Sequence, residues 1–201
     1  MKNIVVKAAL ITVGVLAAAG ILVFSLWILI SPQSMATVSE KLGNYSFAVT
    51  CADLKYKYSD DSYDLARCAE DSINYSANSK DKTGADKLII KYCEPLIEKR
   101  DFDEVCRRKN EEFSRTKYGI YATDYSTYIR GNLAVAQYRA GDLDKAIKTA
   151  ELGGKVDCFA KLVIAVVESR SEKDIEKLQT DSPYFAREYV KGIIELSTNQ
   201  K

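Results

Sequence analysis

The feature that most constrains this chain is an apolar segment near its N-terminus. Residues 8–30 form a run of 23 residues without a charged side chain. At about 1.5 Å per residue, a helix of this length is roughly 34 Å long and can cross a hydrocarbon core of about 30 Å. The run predicts a transmembrane helix, which divides the chain into a tip and anchor at 1–31 and a polar domain at 32–201.

The charges beside the apolar run predict its orientation. Lys2 and Lys7 precede it, and basic residues that flank a first span tend to stay in the cytoplasm. We therefore expect a single-pass signal anchor in the cell membrane, with the C-terminal domain extracytoplasmic. The alternative is a signal peptide cleaved after Ala36, because Ser34 and Ala36 are small residues past the run. The apolar core of a signal peptide is about 7–15 residues long, which favours the uncleaved anchor over cleavage.

The charge balance limits the classes of partner. The chain has 29 basic and 28 acidic residues. Nucleic-acid binding selects for clustered positive charge, so this near-neutral balance argues against a nucleic-acid partner. The partner that the apolar run predicts is the lipid bilayer, contacted through residues 8–30.

Hydrophobic periodicity in the polar domain is helical almost throughout. Apolar residues recur three and four positions apart, as in Tyr92, Cys93 and Leu96 or Phe159, Leu162 and Val163. The predicted fold is all-α, and its short connections force consecutive helices into antiparallel hairpins. The predicted helices cover 33–42, 45–58, 62–77, 84–99, 102–116, 122–140, 143–152, 157–169, 172–180 and 183–198.

Two of these hairpins share one spacing of small residues. In each, an alanine is followed by glycine seven positions on and by a second alanine five further. The members are Ala36, Gly43 and Ala48 in the first hairpin, and Ala134, Gly141 and Ala146 in the second. Alanines at these places would let the two helices of a hairpin approach closely, and the glycine would turn the chain between them.

This spacing resembles the tetratricopeptide repeat, a helix-turn-helix unit of about 34 residues. The resemblance is good over 122–153, fair over 33–58 and weak between them. It implies an α-solenoid of antiparallel helix hairpins behind the membrane anchor. It also implies a scaffold or adaptor that binds a protein or peptide.

The five cysteines have no metal-binding or disulfide pattern in the sequence. Each lies among apolar residues of a predicted helix, where a free cysteine behaves as a small hydrophobe. Disulfides between neighbouring helices are the alternative, and an odd number of cysteines disfavours a full framework. The cysteines are Cys51, Cys68, Cys93, Cys106 and Cys158.

Residues with catalytic potential are scarce. The chain contains no histidine, which removes the commonest general base and the histidine-containing triads. Phosphate-binding glycine motifs and the nucleophile-elbow motif are also missing from the sequence. We therefore expect a binding protein without a catalytic residue, metal or cofactor, and an acid-dependent envelope enzyme is a remote alternative.

A tyrosine cluster is the candidate partner-binding feature. Tyrosine is favoured at recognition surfaces, and helical repeats display a groove. We assign Tyr121 and Tyr118 to partner binding, whereas Tyr125 and Tyr128 lie on the apolar side with Ile129 and are predicted core residues. Two other functions stay open: a cytosol-facing docking receptor with tetratricopeptide-like repeats, and an envelope domain that binds a small ligand.

Overall fold

A computed structural model of the chain describes residues 2–115 and 124–198. Within them the fold is all-α, as the periodicity predicts, and it contains eleven helices, which is compatible with a helical repeat. The helices are α1 (Lys2–Ile30), α2 (Pro32–Lys41), α3 (Tyr45–Ser59), α4 (Ser62–Asn78), α5 (Lys82–Glu98), α6 (Phe102–Arg115), α7 (Tyr125–Arg139), α8 (Leu143–Glu151), α9 (Val156–Ser169), α10 (Glu172–Asp181) and α11 (Tyr184–Thr198).

α1 is the apolar helix expected from the uncharged run. Its segment Ile11–Ile30 has a mean hydropathy of 2.6, and no residue of its most apolar stretch is fully buried against the rest of the chain. A helix of this length and composition is sufficient to cross a membrane. Near its C-terminal end it touches the helical domain, where Phe24 stacks on Phe47 of α3 and Ile28 packs against the α2–α3 core.

The α2–α3 and α7–α8 turns have the same backbone geometry. Gly43 and Gly141 have φ angles of +74° and +92°, which L side chains rarely adopt. In each turn the glycine N–H donates to a carbonyl three residues back, and the following N–H donates to a carbonyl five back, over 2.8–3.0 Å. This pattern is the Schellman motif. The residue after the glycine, Asn44 or Asp142, then caps the next helix with its side chain.

Helix bounds differ from the sequence expectation by at most three residues at any described end. The clearest correction is α5, which begins at Lys82 rather than at residue 84. Asp81 causes this earlier start, because its carboxylate accepts a hydrogen bond of 2.9 Å from the N–H of Gly84. The predicted start of α7 at residue 122 lies outside the described residues, and the described helix is capped by Asp124.

Helices pack mainly on their neighbours in the chain. α2 packs on α3, α3 on α4, and α4 on α5. α7 packs on α5, α8 and α9, while α9 also packs on α8, α10 and α11. α6 lies against α4, α5 and α7, so it bridges the two halves of the domain.

Three buried clusters hold these helices together. The first joins α3 to α7 around Leu65 and Leu96, and the second joins α7 to α11 around Phe159 and Leu162. The third is small and lies between α2 and α3. Burying a side chain such as Leu65 contributes about 1.5–3 kcal/mol, so the two large clusters supply most of the hydrophobic stabilisation.

All five cysteines are free and buried in these clusters. The prediction that the cysteines are small buried hydrophobes is therefore confirmed, and none of them forms the alternative disulfide. Burial raises the pKa of each thiol, for example that of Cys106 to about 12. A buried thiol with a raised pKa is poorly nucleophilic, so these side chains contribute packing rather than chemistry.

Candidate functional site

Tyr118 and Tyr121, the tyrosines assigned to partner binding, lie outside the described residues, so this assignment stays a prediction. The two tyrosines predicted to be core residues differ in burial. Tyr125 is fully buried, as expected, and its hydroxyl donates a hydrogen bond of 3.3 Å to the carbonyl of Ala66. Tyr128 is only half-buried at the edge of the first cluster, so part of its ring faces solvent.

The repeat residues lie at the hairpins to which the spacing assigned them. Ala134 and Ala146 are fully buried in the second cluster, and α7 packs on α8 there. Ala36 and Ala48 are fully buried in the third cluster, between α2 and α3. Side chains of this size would leave room for two backbones to lie close, and this packing role stays a prediction.

Two charged clusters consist of ion pairs between side chains of different helices. In the first, Arg67 of α4 contacts Glu40 of α2 and lies 3.0 Å from the Asp71 carboxylate, measured from Nε to Oδ1. Asp71 is fully buried, and this burial raises its pKa to about 8. Asn74 adds a hydrogen bond of 3.1 Å to Glu40. These contacts join α2 to α4 in the interior.

The second cluster joins α4 to α6. Lys109 of α6 is buried, with its Nζ 2.9 Å from Glu70 Oε1 and 3.3 Å from Glu112 Oε2. Its ammonium also lies 4.2 Å from the centroid of the Tyr63 ring, and Tyr63 donates a hydrogen bond of 2.5 Å to Glu112. Because both cations in these clusters already have carboxylate partners, we assign the clusters a structural role. Removing one partner of such a buried pair costs about 3–5 kcal/mol.

A different arrangement occurs where α9 crosses α7. Lys161 of α9 donates a hydrogen bond of 2.9 Å from Nζ to Asn132 Oδ1, and its ammonium lies 5.4 Å from the centroid of the Tyr128 ring. The Lys161 stem passes close to Gly131, where a Cβ would lie 3.6 Å from Lys161 Cδ, an ordinary van der Waals contact. Ile164, one turn further along α9, is 48% exposed. Tyr128, Asn132, Lys161 and Ile164 are called the α7–α9 face below.

The electrostatics of Lys161 set it apart from the paired lysines. Among the described residues it forms no ion pair, whereas Lys155 pairs with Asp124 and Lys145 pairs with Glu94. Desolvation by the surrounding protein lowers the pKa of Lys161. Lys161 is itself exposed to solvent, and its ammonium lies beside an aromatic ring and an amide, with no ion-pair partner in the part of the chain that the structure describes. A carboxylate of a bound partner would supply a negative charge opposite the Lys161 ammonium.

Sequence reasoning did not single out Lys161 or Asn132. Each is a lone polar residue between apolar positions of a helix, a pattern that is ordinarily a solvated surface. Their proximity depends on how α9 crosses α7, which no local spacing encodes.

The chain matches no protein-family model, no curated protein and no solved structure.

Proposed function

We propose that this chain is a single-pass, membrane-anchored helical adaptor that binds an extended, carboxylate-bearing segment of a protein partner on its α7–α9 face. The function is one of binding and positioning rather than catalysis. The observation that carries the binding site is the uncompensated ammonium of Lys161, held between Asn132 and Tyr128.

α1 supports the membrane anchor. Its apolar side chains are exposed along Ile11–Ile30. Leaving them in water would be unfavourable by a free energy of about 25 cal/mol per Å² of apolar area. A bilayer removes that cost. Lys2 and Lys7 favour the orientation with the N-terminus in the cytoplasm and the domain outside.

The packing supports a tetratricopeptide-like array. α7, α9 and α11 contact one another in succession, and α8 and α10 contact each other and their neighbours in that row. Arrays of this kind place alternate helices on one face, where a continuous binding surface forms. The repeated Schellman turn at Gly43 and Gly141 is a second feature that favours one repeated unit.

The chemistry of the α7–α9 face selects a partner class. Lys161 Nζ can donate to a carboxylate, the Tyr128 ring offers apolar area, and Ile164 extends that area along α9. A hydrogen bond between charged groups is shorter and stronger than a neutral one. An acidic side chain or a C-terminal carboxylate of an extended segment therefore fits this face, with an apolar residue beside it.

A site-specific crosslink tests this function. The photoreactive residue p-benzoylphenylalanine replaces Ile164 in the full-length chain, and intact cells are irradiated. We expect a discrete crosslinked partner whose yield falls about tenfold with Lys161→Glu, because a favourable charge contact becomes a repulsive one.

Lys148→Glu is the matched control. It makes the same charge change at an exposed position of α8 and should leave the yield unchanged. Equal loss with both variants, or no loss with Lys161→Glu in a folded chain, would remove Lys161 from the binding site. The absence of any crosslink at residue 164 would remove the face itself.

A further inference from the structure

Side chains of the last turns of α1 approach α3 at two places, which follow in the same order along both helices. Phe24 stacks on Phe47 in the first turn of α3, with ring centroids 6.2 Å apart and an interplanar angle of 14°. Leu29 and Ile30 share a cleft with Tyr58, near the other end of α3. Phe24 precedes Ile30 by six positions, so the contact with the first turn of α3 is made about 9 Å before the end of α1 along the α1 axis. The turn that enters α3 therefore points back along α1.

That turn carries an exposed apolar side chain. Leu42 is the last residue before Gly43 and is 79% exposed, and Val38 lies one turn earlier on the same face of α2 at 36% exposed. The equivalent position in the second Schellman turn is Ala140, which precedes Gly141. The two turns share their backbone, so the backbone does not require a large apolar residue at position 42.

The N–H groups of residues 42–44 in this turn are paired within the chain. The N–H groups of Leu42, Gly43 and Asn44 donate to carbonyls of α2 over 2.8–3.1 Å. The Asn44 side-chain oxygen accepts from the N–H of Phe47 and from the hydroxyl of Ser46, both at 3.3 Å. Polar groups that are already paired lose little when water is replaced by a less polar medium. The turn can therefore enter a medium less polar than water without leaving these donors unpaired.

We infer that the α2–α3 turn inserts Leu42 into the interface of the bilayer leaflet in which α1 ends. The occupant of this surface is phospholipid, and the inference rests on the proposed membrane anchor because α1 sets the position of the turn. Interfacial elements bury their apolar residues about 5–10 Å into the headgroup and acyl boundary, and the contact of Phe24 with the start of α3 lies about 9 Å before the end of α1.

Two neighbouring residues fit this placement. Trp27, on the last turns of α1, is 45% exposed, and tryptophan is enriched at membrane–water interfaces. Lys41 is exposed beside Leu42, and a lysine can place its stem along apolar surface while its charge reaches the headgroups. Together with the Phe24–Phe47 stack, these contacts hold the helical domain against the bilayer surface instead of on a free stalk.

Tryptophan fluorescence in vesicles tests this inference. The chain contains one tryptophan, so Trp27 reports on the end of α1. The full-length chain and two Trp27→Phe chains, which carry Leu42→Trp or Leu152→Trp, are reconstituted into phosphatidylcholine vesicles with acyl chains brominated near the headgroup. Leu152 is the matched control, because it too is an exposed leucine that precedes a glycine at the end of a helix. Far-ultraviolet circular dichroism checks that each chain keeps its helical content.

We expect bromine to quench the parent and the Leu42→Trp chain about twofold, and to leave the Leu152→Trp chain unquenched. Quenching of the parent without quenching of the Leu42→Trp chain would overturn the insertion of the turn while the anchor stands. Equal quenching of the Leu42→Trp and Leu152→Trp chains would also overturn it, because contact would not be specific to the turn. No quenching of the parent would contradict the anchor and this inference together.

Discussion

Gly43 and Gly141 occupy the same place in two turns, each at the end of one helix and one residue before the cap of the next. Both have a positive φ, and a Cβ on either would meet no atom within 4 Å. Alanine at these sites is therefore opposed by backbone strain alone, without a steric clash. Because alanine would add strain without a clash, its effect on stability tests directly whether both glycines have the left-handed backbone of a Schellman motif.

Gly43→Ala and Gly141→Ala should each destabilise the chain by about 1 kcal/mol, because an L residue is held in the left-handed region. Gly192→Ala is the control, since Gly192 lies inside α11 with open space around it, and alanine there should stabilise by about 0.5–1 kcal/mol. Urea unfolding in detergent, followed by circular dichroism, measures all three. Equal effects at the turns and in the helix would contradict the shared Schellman geometry.

The α7–α8 hairpin should be sensitive to volume at Ala146. Ala146 is fully buried in the second cluster, so Ala146→Leu should overpack it and cost about 1–3 kcal/mol. Ala140→Leu adds the same volume at an exposed position and should change the free energy of unfolding by less than about 0.5 kcal/mol. Thermal unfolding of both variants gives the comparison. A stable Ala146→Leu chain would show that the two helices do not meet at this residue.

Asp71 should make stability depend on pH. Burial raises its pKa to about 8, while an unfolded aspartate titrates near about 3.9. Between these values the folded chain holds the proton that the unfolded chain has lost, so the contribution of this group is complete below about pH 4 and falls as pH rises through about 8. Asp71→Asn cannot ionise, so the variant should show a shallower fall in unfolding free energy between about pH 5 and 8.

Asp103→Asn is the control for this titration. Asp103 is exposed on α6, and the variant should follow the pH dependence of the parent. Urea unfolding at several pH values measures both chains. An unchanged slope for Asp71→Asn would show that Asp71 is not the group that titrates.

The thiols should be protected in the folded chain. All five cysteines are buried and burial raises their pKa values, so Ellman's reagent should react slowly with the native chain and rapidly after unfolding. A reductant should leave the melting temperature unchanged. A large fall on reduction would instead reveal a disulfide, which typically contributes about 2–4 kcal/mol.

The orientation of the chain can be measured with protease. The lysines before the apolar run predict that protease added to intact cells or spheroplasts degrades the helical domain, and that carbonate-washed membranes retain the full-length chain. Protection of the domain would reverse the orientation. A mature N-terminus at Thr37 would show cleavage after Ala36 instead of an anchor.

The helices and their ends could be predicted from the sequence. Apolar residues three and four apart define α5, as in Leu88, Ile89 and Tyr92, and Gly43 and Gly141 mark the turns. These signals are local, because they depend on neighbours within about one turn of chain. The all-α class, the uncharged run of α1 and the burial of the cysteines followed in the same way. Asp81 was missed as a cap, since a polar residue in a turn has several possible roles.

Only the tertiary structure decided which polar residues are buried, paired or open. Asp71 and Lys109 resemble solvated helix residues in sequence, yet one is fully buried and the other is held by Glu70 and Glu112. Lys161 is a candidate site because the crossing of α9 and α7 places it beside Asn132, a contact that its local sequence does not predict. The sequence determined the helices because their periodicity and caps are local, whereas long-range packing determined the environment of each charge, since burial depends on residues distant in the chain.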